Sequence, residues 1–252
     1  MKGIFLTDCG QVRSHNEDAG GIYYNASNQL MAVIADGMGG HKAGDVASQM
    51  AVSQLQKYWE DTSSFSSPNE IEEWLHNAVE LVNKSIYNHA QEHKEYEGMG
   101  TTIVIAIHIN DFLTVAHVGD SRCYLLNESG FRQITQDHSL VNALIQSGQI
   151  SKDDAKYHPR KNVVLRALGS EPKVDTDIIT TTLEKDDKIV LCTDGLTDKI
   201  HDEEIHEFIH QHNDLEETGQ HLVDMANKRG GEDNISLIIL FQDISPDRGE
   251  SN

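Results

Sequence analysis

The sequence contains one stretch, LMAVIADGMGGH at residues 30–41, in which six apolar residues lead directly into Asp36 and a run of glycines. Two further apolar runs lie beside an aspartate in a similar way, at Asp194 and at Asp233. Carboxylates held at the mouths of buried strands raise one another's pKa, and they stay ionised side by side only when a multivalent cation neutralises them. The pattern therefore indicates a hard-cation site, with each aspartate where a strand gives way to a tight turn.

The composition limits the partners that this chain can bind. Its 252 residues include 41 acidic and 20 basic side chains, which gives a formal net charge of −21. Such a surface repels nucleic acid and anionic lipid, so we expect no nucleic-acid partner. The longest apolar run has six residues, whereas a membrane helix needs roughly 20, so we expect no membrane insertion. We expect a cytoplasmic monomer with a single domain over residues 1–242 and a flexible tail at 243–252.

Short apolar and β-branched runs predict a protein rich in strands. The linkers Asn110-Asp111 and Gly119-Asp120-Ser121 are short enough only for antiparallel hairpins, which predicts a meander. Strands and helices come in clusters, so the expected fold class is α+β, with two antiparallel β-sheets packed as a sandwich and helices on both outer faces. The predicted strands cover residues 4–7, 31–34, 102–109, 112–118, 123–126, 188–192 and 235–241, and the predicted helices cover 43–60, 68–93, 139–147, 202–212 and 215–229.

Residues 137–170 differ from the rest of the chain. This segment is less strand-like, mixes a short helix with His158-Pro159-Arg160, and lies between two clusters of strands. Irregular segments on a rigid scaffold commonly carry binding residues. We therefore predict that residues 137–170 form a mobile flap beside the site.

Two motifs near the first apolar run suggest how a phosphate could be held beside a metal. The glycines after Asp36 would let the backbone approach an ion closely and donate a carbonyl ligand, although a plain Gly-rich turn is the alternative. Arg13, Glu17 and Asp18 put an arginine fork next to carboxylates, which suits a phosphate dianion held beside its metals. For this second motif a charged surface turn is the alternative.

Two other matches indicate a different class, the zinc peptidases. Residues 206–210 fit the His-Glu-x-x-His pattern, and residues 89–93 fit its inverted form. On a helix, however, His206 and His210 would point roughly 130° away from the apolar stripe, so we expect them to face water. A zinc peptidase also needs a third ligand, which the sequence does not identify.

Six motifs occur in order along the chain: Arg13-x-x-Asn16-Glu17-Asp18, Asp36-Gly37-Met38-Gly39-Gly40-His41, Gly100-Thr101-Thr102, Val118-Gly119-Asp120-Ser121-Arg122, Asp194-Gly195-Leu196 and Asp233-Asn234-Ile235. Together they resemble the metal-dependent serine/threonine protein phosphatases of the PP2C type. The resemblance covers about residues 3–241, and it is strongest to compact bacterial members that oppose membrane-anchored serine/threonine kinases.

The resemblance implies a cleft at the ends of the strands that holds two Mn²⁺ or Mg²⁺ ions and a weaker third. In that arrangement Asp36 bridges both ions and the carbonyl of Gly37 joins one of them. Asp194 and Asp233 hold the other ion, and Asp120 completes the third site together with Asp194. Oxygen donors of this kind suit magnesium and manganese.

The resemblance also assigns four other residues. Glu17 and Asp18 stand behind the ligands or contact the metals through water. Arg13 corresponds to the arginine that holds the phosphate, and His41 to the proposed general acid.

These roles imply hydrolysis of phosphoserine and phosphothreonine on proteins, which reverses serine/threonine kinase signalling. Phosphate monoesters hydrolyse very slowly in water, and a serine alkoxide is a poor leaving group. Two ions lower the pKa of a shared water, so that a metal-activated hydroxide attacks and no protein nucleophile is needed. The expected partners are phosphorylated proteins, including a serine/threonine kinase. A catalytically silent binding module with the same fold is a further alternative.

Overall fold

The computed structural model describes residues 1–39, 43–212 and 214–242. The strands are β1 Lys2–Asp8, β2 Asp18–Tyr24, β3 Leu30–Met38, β4 Gly100–Thr101, β5 Ile103–Ile109, β6 Phe112–Val118, β7 Arg122–Asn127, β8 Gly130–Gln133, β9 Asp177–Thr182, β10 Lys188–Cys192 and β11 Ile235–Phe241. The helices are α1 Ala43–Glu60, α2 Pro68–Glu92, α3 Leu140–Gln146, α4 Lys152–Lys156, α5 Asp194–Thr197, α6 Asp202–Gln211 and α7 Leu215–Lys228, and Lys94–Tyr96 forms a 3₁₀ turn.

The strands form two antiparallel sheets that pack face to face. One sheet has the order β1-β11-β10-β7-β8, and the other has the order β2-β3-β5-β6-β9, with β4 paired to β3. Helices α1 and α2 cover the outer face of the second sheet, while α5, α6 and α7 cover the outer face of the first. The predicted α+β sandwich with helices on both outer faces is confirmed.

Strand β3 explains why the apolar run at residues 30–35 is continuous. Its residues alternate between two cores: Ala32 and Ile34 face the other sheet, while Met31 and Val33 face α1 and α2. A strand covered on both faces needs apolar residues at every position rather than at every second one. The central strands β5, β10 and β11 follow the same rule, and all of them are predicted by the sequence.

Besides the two-residue strand β4, three strands, β2, β8 and β9, are not predicted by the sequence. Each of them is the outermost strand at one edge of its sheet. Edge strands pair on one side only and tolerate Gly and polar residues, so their apolar pattern is weak. In β2 the pair Gly20 and Gly21 conceals the strand further, because glycine has a low intrinsic preference for strands.

The predicted meander is wrong at its second connection. Strand β5 does pair with β6, but β6 continues to β9 in one sheet, whereas β7 pairs with β10 in the other. Residues Gly119-Asp120-Ser121 therefore carry the chain from one sheet to the other instead of closing a hairpin. Gly119 has a φ of +108°, a conformation that glycine adopts readily and that allows this abrupt change of direction.

Two of the expected strand ends also differ. Strand β3 continues to Met38 because its last residues, Gly37 and Met38, pair with β4, so Asp36 lies within the strand rather than at a turn. Asp194 begins the short helix α5 instead of a tight turn. Both aspartates still lie at the same end of the sandwich.

The segment predicted as a flap, residues 137–170, carries α3 and α4. An isolated bridge pairs its Leu168 with Thr101 of β4 and so joins it to the body, whereas a second bridge, between Ser139 and Val164, lies within the segment. The predicted tail at residues 243–252 lies outside the described residues. Within the described ranges, none of the helices combines the length and the apolar character needed to cross a membrane.

Candidate active site

Five aspartates from different elements converge at one end of the sandwich. Asp18 begins β2 and lies directly opposite Asp36 in the β2–β3 ladder. Asp120 sits in the crossing between the sheets, Asp194 begins α5 after β10, and Asp233 precedes β11. The charges of the other four aspartates all act on the carboxyl group of Asp36, so the five lie within electrostatic reach of one another.

Four carboxyl groups of this cluster, those of Asp18, Asp36, Asp120 and Asp194, have raised pKa values, and withdrawal from water is the largest cause for each. The pKa of Asp18 and that of Asp120 rise to about 7, and that of Asp194 rises to about 6. The pKa of Asp36 lies well above its usual range, first because of burial and then because of the neighbouring carboxylates. The carboxyl groups of Asp36 and Asp194 lie close enough for each to influence the pKa of the other.

Asp18 is held by hydroxyl groups from the opposite sheet. Its Oδ2 accepts hydrogen bonds from Thr193 Oγ1 at 3.0 Å and from Ser236 Oγ at 2.6 Å. Its Oδ1 is buried and has no hydrogen-bond partner among the residues that the structure describes. A buried carboxylate oxygen without a partner costs about 1–3 kcal/mol or more, so this atom suits contact with a bound water or cation.

The chemistry of the cluster fits a hard divalent cation. All of its side-chain donors are carboxylate oxygens, which Mg²⁺ and Mn²⁺ prefer. Asp36, Asp194 and Asp233 are partly exposed while Asp18 is buried, so the cluster opens to solvent on one side. Within the described residues, the ion pair that reaches this cluster is that of Arg13 with Asp233. One arginine cannot neutralise five carboxylates, whereas two divalent ions supply four positive charges.

Gly37 has no room for a side chain. A Cβ atom at this position would collide with the backbone carbonyl of Gly44 and lie 2.5 Å from the carbonyl oxygen of Glu17. The N–H of Gly37 donates to that same Glu17 oxygen at 3.0 Å, and Ser48 Oγ donates to it at 2.6 Å. Glycine at residue 37 thus allows β3, α1 and the Arg13–Glu17 segment to meet beside Asp36.

Arg13 lies at the rim of the cluster. Its Nη2 donates to Asp233 Oδ2 at 2.7 Å, and its Nη1 lies 4.0 Å from Glu17 Oε2. Arg13 is exposed, whereas Glu17 is mostly buried and has a pKa raised chiefly by burial. A half-exposed guanidinium beside the carboxylates is placed to meet a dianion that enters from solvent.

His41 lies outside the described residues, so its predicted role stays a prediction. The zinc-peptidase pattern at residues 206–210 falls on α6 as expected. His210 is exposed, but His206 is half-buried because its ring stacks on Phe131 at a centroid distance of 5.7 Å. The two histidines lie on the outer side of α6, whereas the five aspartates meet at the end of the sandwich.

Asn234 supports the site and is not identified as a site residue by the sequence. Its Oδ1 accepts the N–H of Glu17 at 2.8 Å, and its Nδ2 donates to the carbonyl oxygens of Cys9 and His15 at 2.9 and 3.0 Å. These three bonds fix the loop that carries Arg13 against the residue that follows Asp233. The position of Asn234 beside Asp233 is the one sequence signal that points to it.

A second group of candidate metal ligands lies near Asp120. It contains His117, His138 and Asp177, whose ligand atoms all lie within 4.8 Å of one another. The N–H of Gly119 donates to His138 Nδ1 at 3.1 Å, so the ring proton of neutral His138 is on Nε2. That nitrogen, which faces the group, therefore offers a proton and not a lone pair, and the arrangement does not suit a metal.

Comparison with known proteins gives a consistent result. The family model "Protein phosphatase 2C" matches residues 7–235. The serine/threonine phosphatase stp of Listeria monocytogenes is 45% identical over 245 residues, which cover 97% of both chains. The crystal structure of the serine/threonine phosphatase Stp1 from Staphylococcus aureus superposes with a TM-score of 0.90 at 40% identity, covering 94% of this chain and 93% of that one.

A further solved structure bears on the metals. The catalytic domain of the serine/threonine protein phosphatase PstP, in complex with two manganese ions, matches with a TM-score of 0.82 at 32% identity. The match covers 94% of this chain and 96% of that one.

Proposed function

Since the chain belongs to the protein phosphatase 2C family and is a serine/threonine protein phosphatase, we propose that its aspartate cluster is the metal centre at which phosphoserine and phosphothreonine are hydrolysed. The observation that carries this proposal is the convergence of five carboxyl groups, four of them with raised pKa values, that share one ion-paired basic partner in the described residues. Bound cations would allow the carboxyl groups of such a cluster to stay ionised together at neutral pH.

We assign the metal ligands from the resemblance together with the geometry. Asp36 would contribute to both of two Mn²⁺ or Mg²⁺ ions, the carbonyl of Gly37 would join one, and Asp194 and Asp233 would hold the other. Asp120 completes a weaker third site with Asp194. The two manganese ions bound to PstP support the number of ions.

Two further carboxylates stand behind these ligands. Asp18 is already held by Thr193 and Ser236, which leaves its Oδ1 for a metal-bound water. Glu17 lies between Arg13 and α1, and its burial suits a role in orienting the site rather than in binding substrate.

Side chains of this protein assist both the attack on phosphorus and the departure of the leaving group. When bound, the two ions supply a water whose pKa is low enough for hydroxide to form near neutral pH. Arg13 neutralises the phosphoryl oxygens as charge develops on them. His41 gives a proton to the departing serine or threonine oxygen, so that the P–O bond breaks and the alcohol leaves in its neutral form.

Residues 137–170 form the proposed flap, and they set which phosphoproteins bind. The segment touches the site through Lys161, whose Nζ donates to Asp198 Oδ2 at 2.5 Å, four residues after Asp194. It carries five Lys and Arg against three Asp in a chain of net charge −21. A comparatively basic segment beside the cluster suits a phosphorylated segment of another protein.

We further propose a cytoplasmic monomer that acts on phosphorylated proteins, among them a serine/threonine kinase. A proteome-wide comparison of phosphorylation with and without this protein tests the substrates and the kinase. Size-exclusion chromatography with light scattering tests the monomer.

The test of the metal centre is turnover of p-nitrophenyl phosphate and of a phosphoserine peptide after removal and return of metal. Activity should vanish with EDTA and return with Mn²⁺ or Mg²⁺, and Asp36→Asn and Asp194→Asn should abolish it. The exposed Asp61 lies outside the cluster, so Asp61→Asn is the matched control. Metal-independent turnover would overturn the proposal. Casein cleavage that depends on Zn²⁺ would favour the peptidase, and Mn²⁺ binding without turnover would favour the silent binding module.

A further inference from the structure

Asp120 lies in a loop and belongs to no helix or strand, so contacts from other parts of the chain must hold its side chain towards Asp194. It follows Gly119, in the three-residue crossing between the two sheets. The contacts of Gly119 therefore decide where Asp120 points.

Two residues, Thr102 and His138, contact Gly119 from opposite sides. On one side it packs against Thr102, where a Cβ atom on Gly119 would lie 2.6 Å from the Thr102 Cβ. On the other side His138 holds both polar groups of its backbone. The N–H of His138 donates to the Gly119 carbonyl oxygen at 2.9 Å, and the N–H of Gly119 donates to His138 Nδ1 at 3.1 Å.

Thr102 also makes hydrogen bonds with Asp36. Thr102 Oγ1 accepts the N–H of Asp36 at 3.0 Å and lies 2.7 Å from Ser121 Oγ. The N–H of Thr102 also donates to the Asp36 carbonyl oxygen at 2.9 Å. Thr102 therefore fixes the positions of Asp36 and Asp120 relative to one another, as long as Gly119 remains packed against Thr102.

His138, on the other side of Gly119, belongs to the flap at residues 137–170. The carbonyl oxygen of His138 accepts the N–H of Leu165 at 2.7 Å, and His138 is the second residue of the segment that carries α3 and α4. Its ring is buried and stacks on that of His117 at a centroid distance of 4.6 Å. His138 Nε2 lies 3.4 Å from Asp177 Oδ2 and makes no hydrogen bond within the described residues. The stacking on His117 and the bond from Gly119 orient the ring with its Nδ1 lone pair towards Gly119.

From this geometry we propose that His138 is a positioning residue for the weaker metal site. Its Nδ1 and its backbone hold the Gly119–Asp120 segment so that the Asp120 carboxylate meets the metal shared with Asp194. The inference rests on the proposed function, because it assumes that Asp120 is a metal ligand. Partners of a metal ligand that fix its orientation commonly change metal affinity by about 10–100-fold when they are removed.

The test uses two substitutions that separate the ring nitrogens. In His138→Asn the side-chain oxygen takes the position of Nδ1 and can still accept the Gly119 N–H, whereas in His138→Gln the oxygen takes the position of Nε2 and cannot. Mn²⁺ alone is titrated into the full chain by calorimetry. We expect a weak binding step that His138→Gln weakens about tenfold or more and His138→Asn changes by less than about threefold, while the tighter steps stay unchanged.

Two further variants guard against a general effect on folding. His138→Met fills similar space without an acceptor and should weaken the same step as His138→Gln does. His117→Phe keeps the ring stack and does not touch Gly119, so it should leave the weak step unchanged even if it lowers the melting temperature. Equal effects of His138→Asn and His138→Gln, or none, would overturn the proposal. Loss of a step in His117→Phe would also overturn it, because the histidines would then hold metal themselves.

Asp120→Asn separates this inference from the proposed function. It should remove the weak Mn²⁺ step and leave the tighter ones. If it leaves the isotherm unchanged, both the third site and the role of His138 are wrong, whereas Mn²⁺-dependent turnover would still support the phosphatase. If it removes the step but the His138 variants do not, only the present inference is wrong.

Discussion

Asp18 and Asp36 lie directly opposite one another in the β2–β3 ladder, and both have carboxyl groups with raised pKa values. Like charges that face each other across a strand pair destabilise a sheet. Here the repulsion is increased by burial and by Asp194, which adds to the charge felt by both residues. The folded chain therefore carries an unfavourable electrostatic energy that metal binding relieves, and this energy can be measured.

Asp36→Asn should raise the stability of the metal-free protein while it removes the response to metal. The amide keeps the size of the side chain and removes one buried charge from the repelling group. We expect a melting temperature about 2–6 °C higher than that of the wild type in EDTA. In saturating Mn²⁺ the wild type should gain about 5 °C or more and the variant much less. Differential scanning calorimetry measures both, and a variant less stable in EDTA would contradict the argument.

The metal-free protein should lose stability as the pH rises. Carboxyl groups of Asp titrate near 3.9 in an unfolded chain, but in the folded protein the pKa of Asp194 is about 6 and those of Asp18 and Asp120 are about 7. The folded state binds more protons between these values, so their contribution is fully present below about pH 4 and is lost as the pH rises through 6 to 7. Urea unfolding in EDTA from pH 5 to pH 8 measures the slope.

Saturating Mn²⁺ provides the control for that slope. The metal competes with protons for the same carboxylates, so the stability should then rise or stay level between pH 6 and pH 8. The same fall in stability with and without Mn²⁺ would mean that other groups cause it.

Arg13→Ala should reduce catalysis more than metal binding. The guanidinium touches Asp233 but offers its remaining donors to solvent, where a phosphate would enter. We expect kcat/KM for a phosphoserine peptide to fall about 100-fold while the tight Mn²⁺ steps change little. Arg13→Lys should recover part of the loss, since it keeps the charge without the planar fork. Arg132→Ala, on the exposed side of β8, is the matched control, and a loss confined to Mn²⁺ affinity would argue against phosphate binding.

Gly37→Ala should destabilise the fold by more than about 3 kcal/mol, because the added methyl group meets backbone atoms of Gly44 and Glu17 that cannot move separately. Gly21→Ala is a matched control in the adjacent strand. There the methyl group would meet the hydroxyl end of the Tyr23 side chain, which can turn aside. We expect a change of about 1 kcal/mol or less for the control. Chemical denaturation of both variants gives the comparison, and equal losses would contradict it.

His41→Ala should slow esters with basic leaving groups more than aryl phosphates. A serine alkoxide needs a proton as it leaves, whereas p-nitrophenolate is stable without one. The turnover of a phosphoserine peptide should fall at least about tenfold more than that of p-nitrophenyl phosphate, with Mn²⁺ affinity retained. Equal losses on the two substrates would reject the general-acid role.

The central strands and most long helices could be predicted from local patterns. Strands β6, β10 and β11 and helix α1 have the predicted bounds, because elements buried on one or both faces must show their burial as an apolar pattern. The edge strands β2, β8 and β9 lack that pattern. The sequence predicts a hairpin at Gly119, where the chain in fact crosses between the sheets, because the length of a linker does not show whether the next strand joins the same sheet or the opposite one.

The candidate ligands could also be named from the sequence, since acidic residues beside apolar runs and the order of the six motifs are local features. Their supports could not. Ser236 bonds to Asp18 across 218 positions, Asn234 bonds to Glu17 across 217, and Gly119 meets the ring of His138 across 19. No spacing rule links such pairs, because they become neighbours only when the two sheets close on each other.

The sequence by itself determined the sandwich of sheets, the family and the set of acidic side chains. Only the tertiary structure decided that β6 and β7 belong to different sheets, that Asp36 lies inside its strand, and that a histidine at the base of the flap holds the backbone before Asp120. The physical reason is that hydrophobic periodicity records whether a residue is buried, whereas the partner it meets there depends on how whole layers pack.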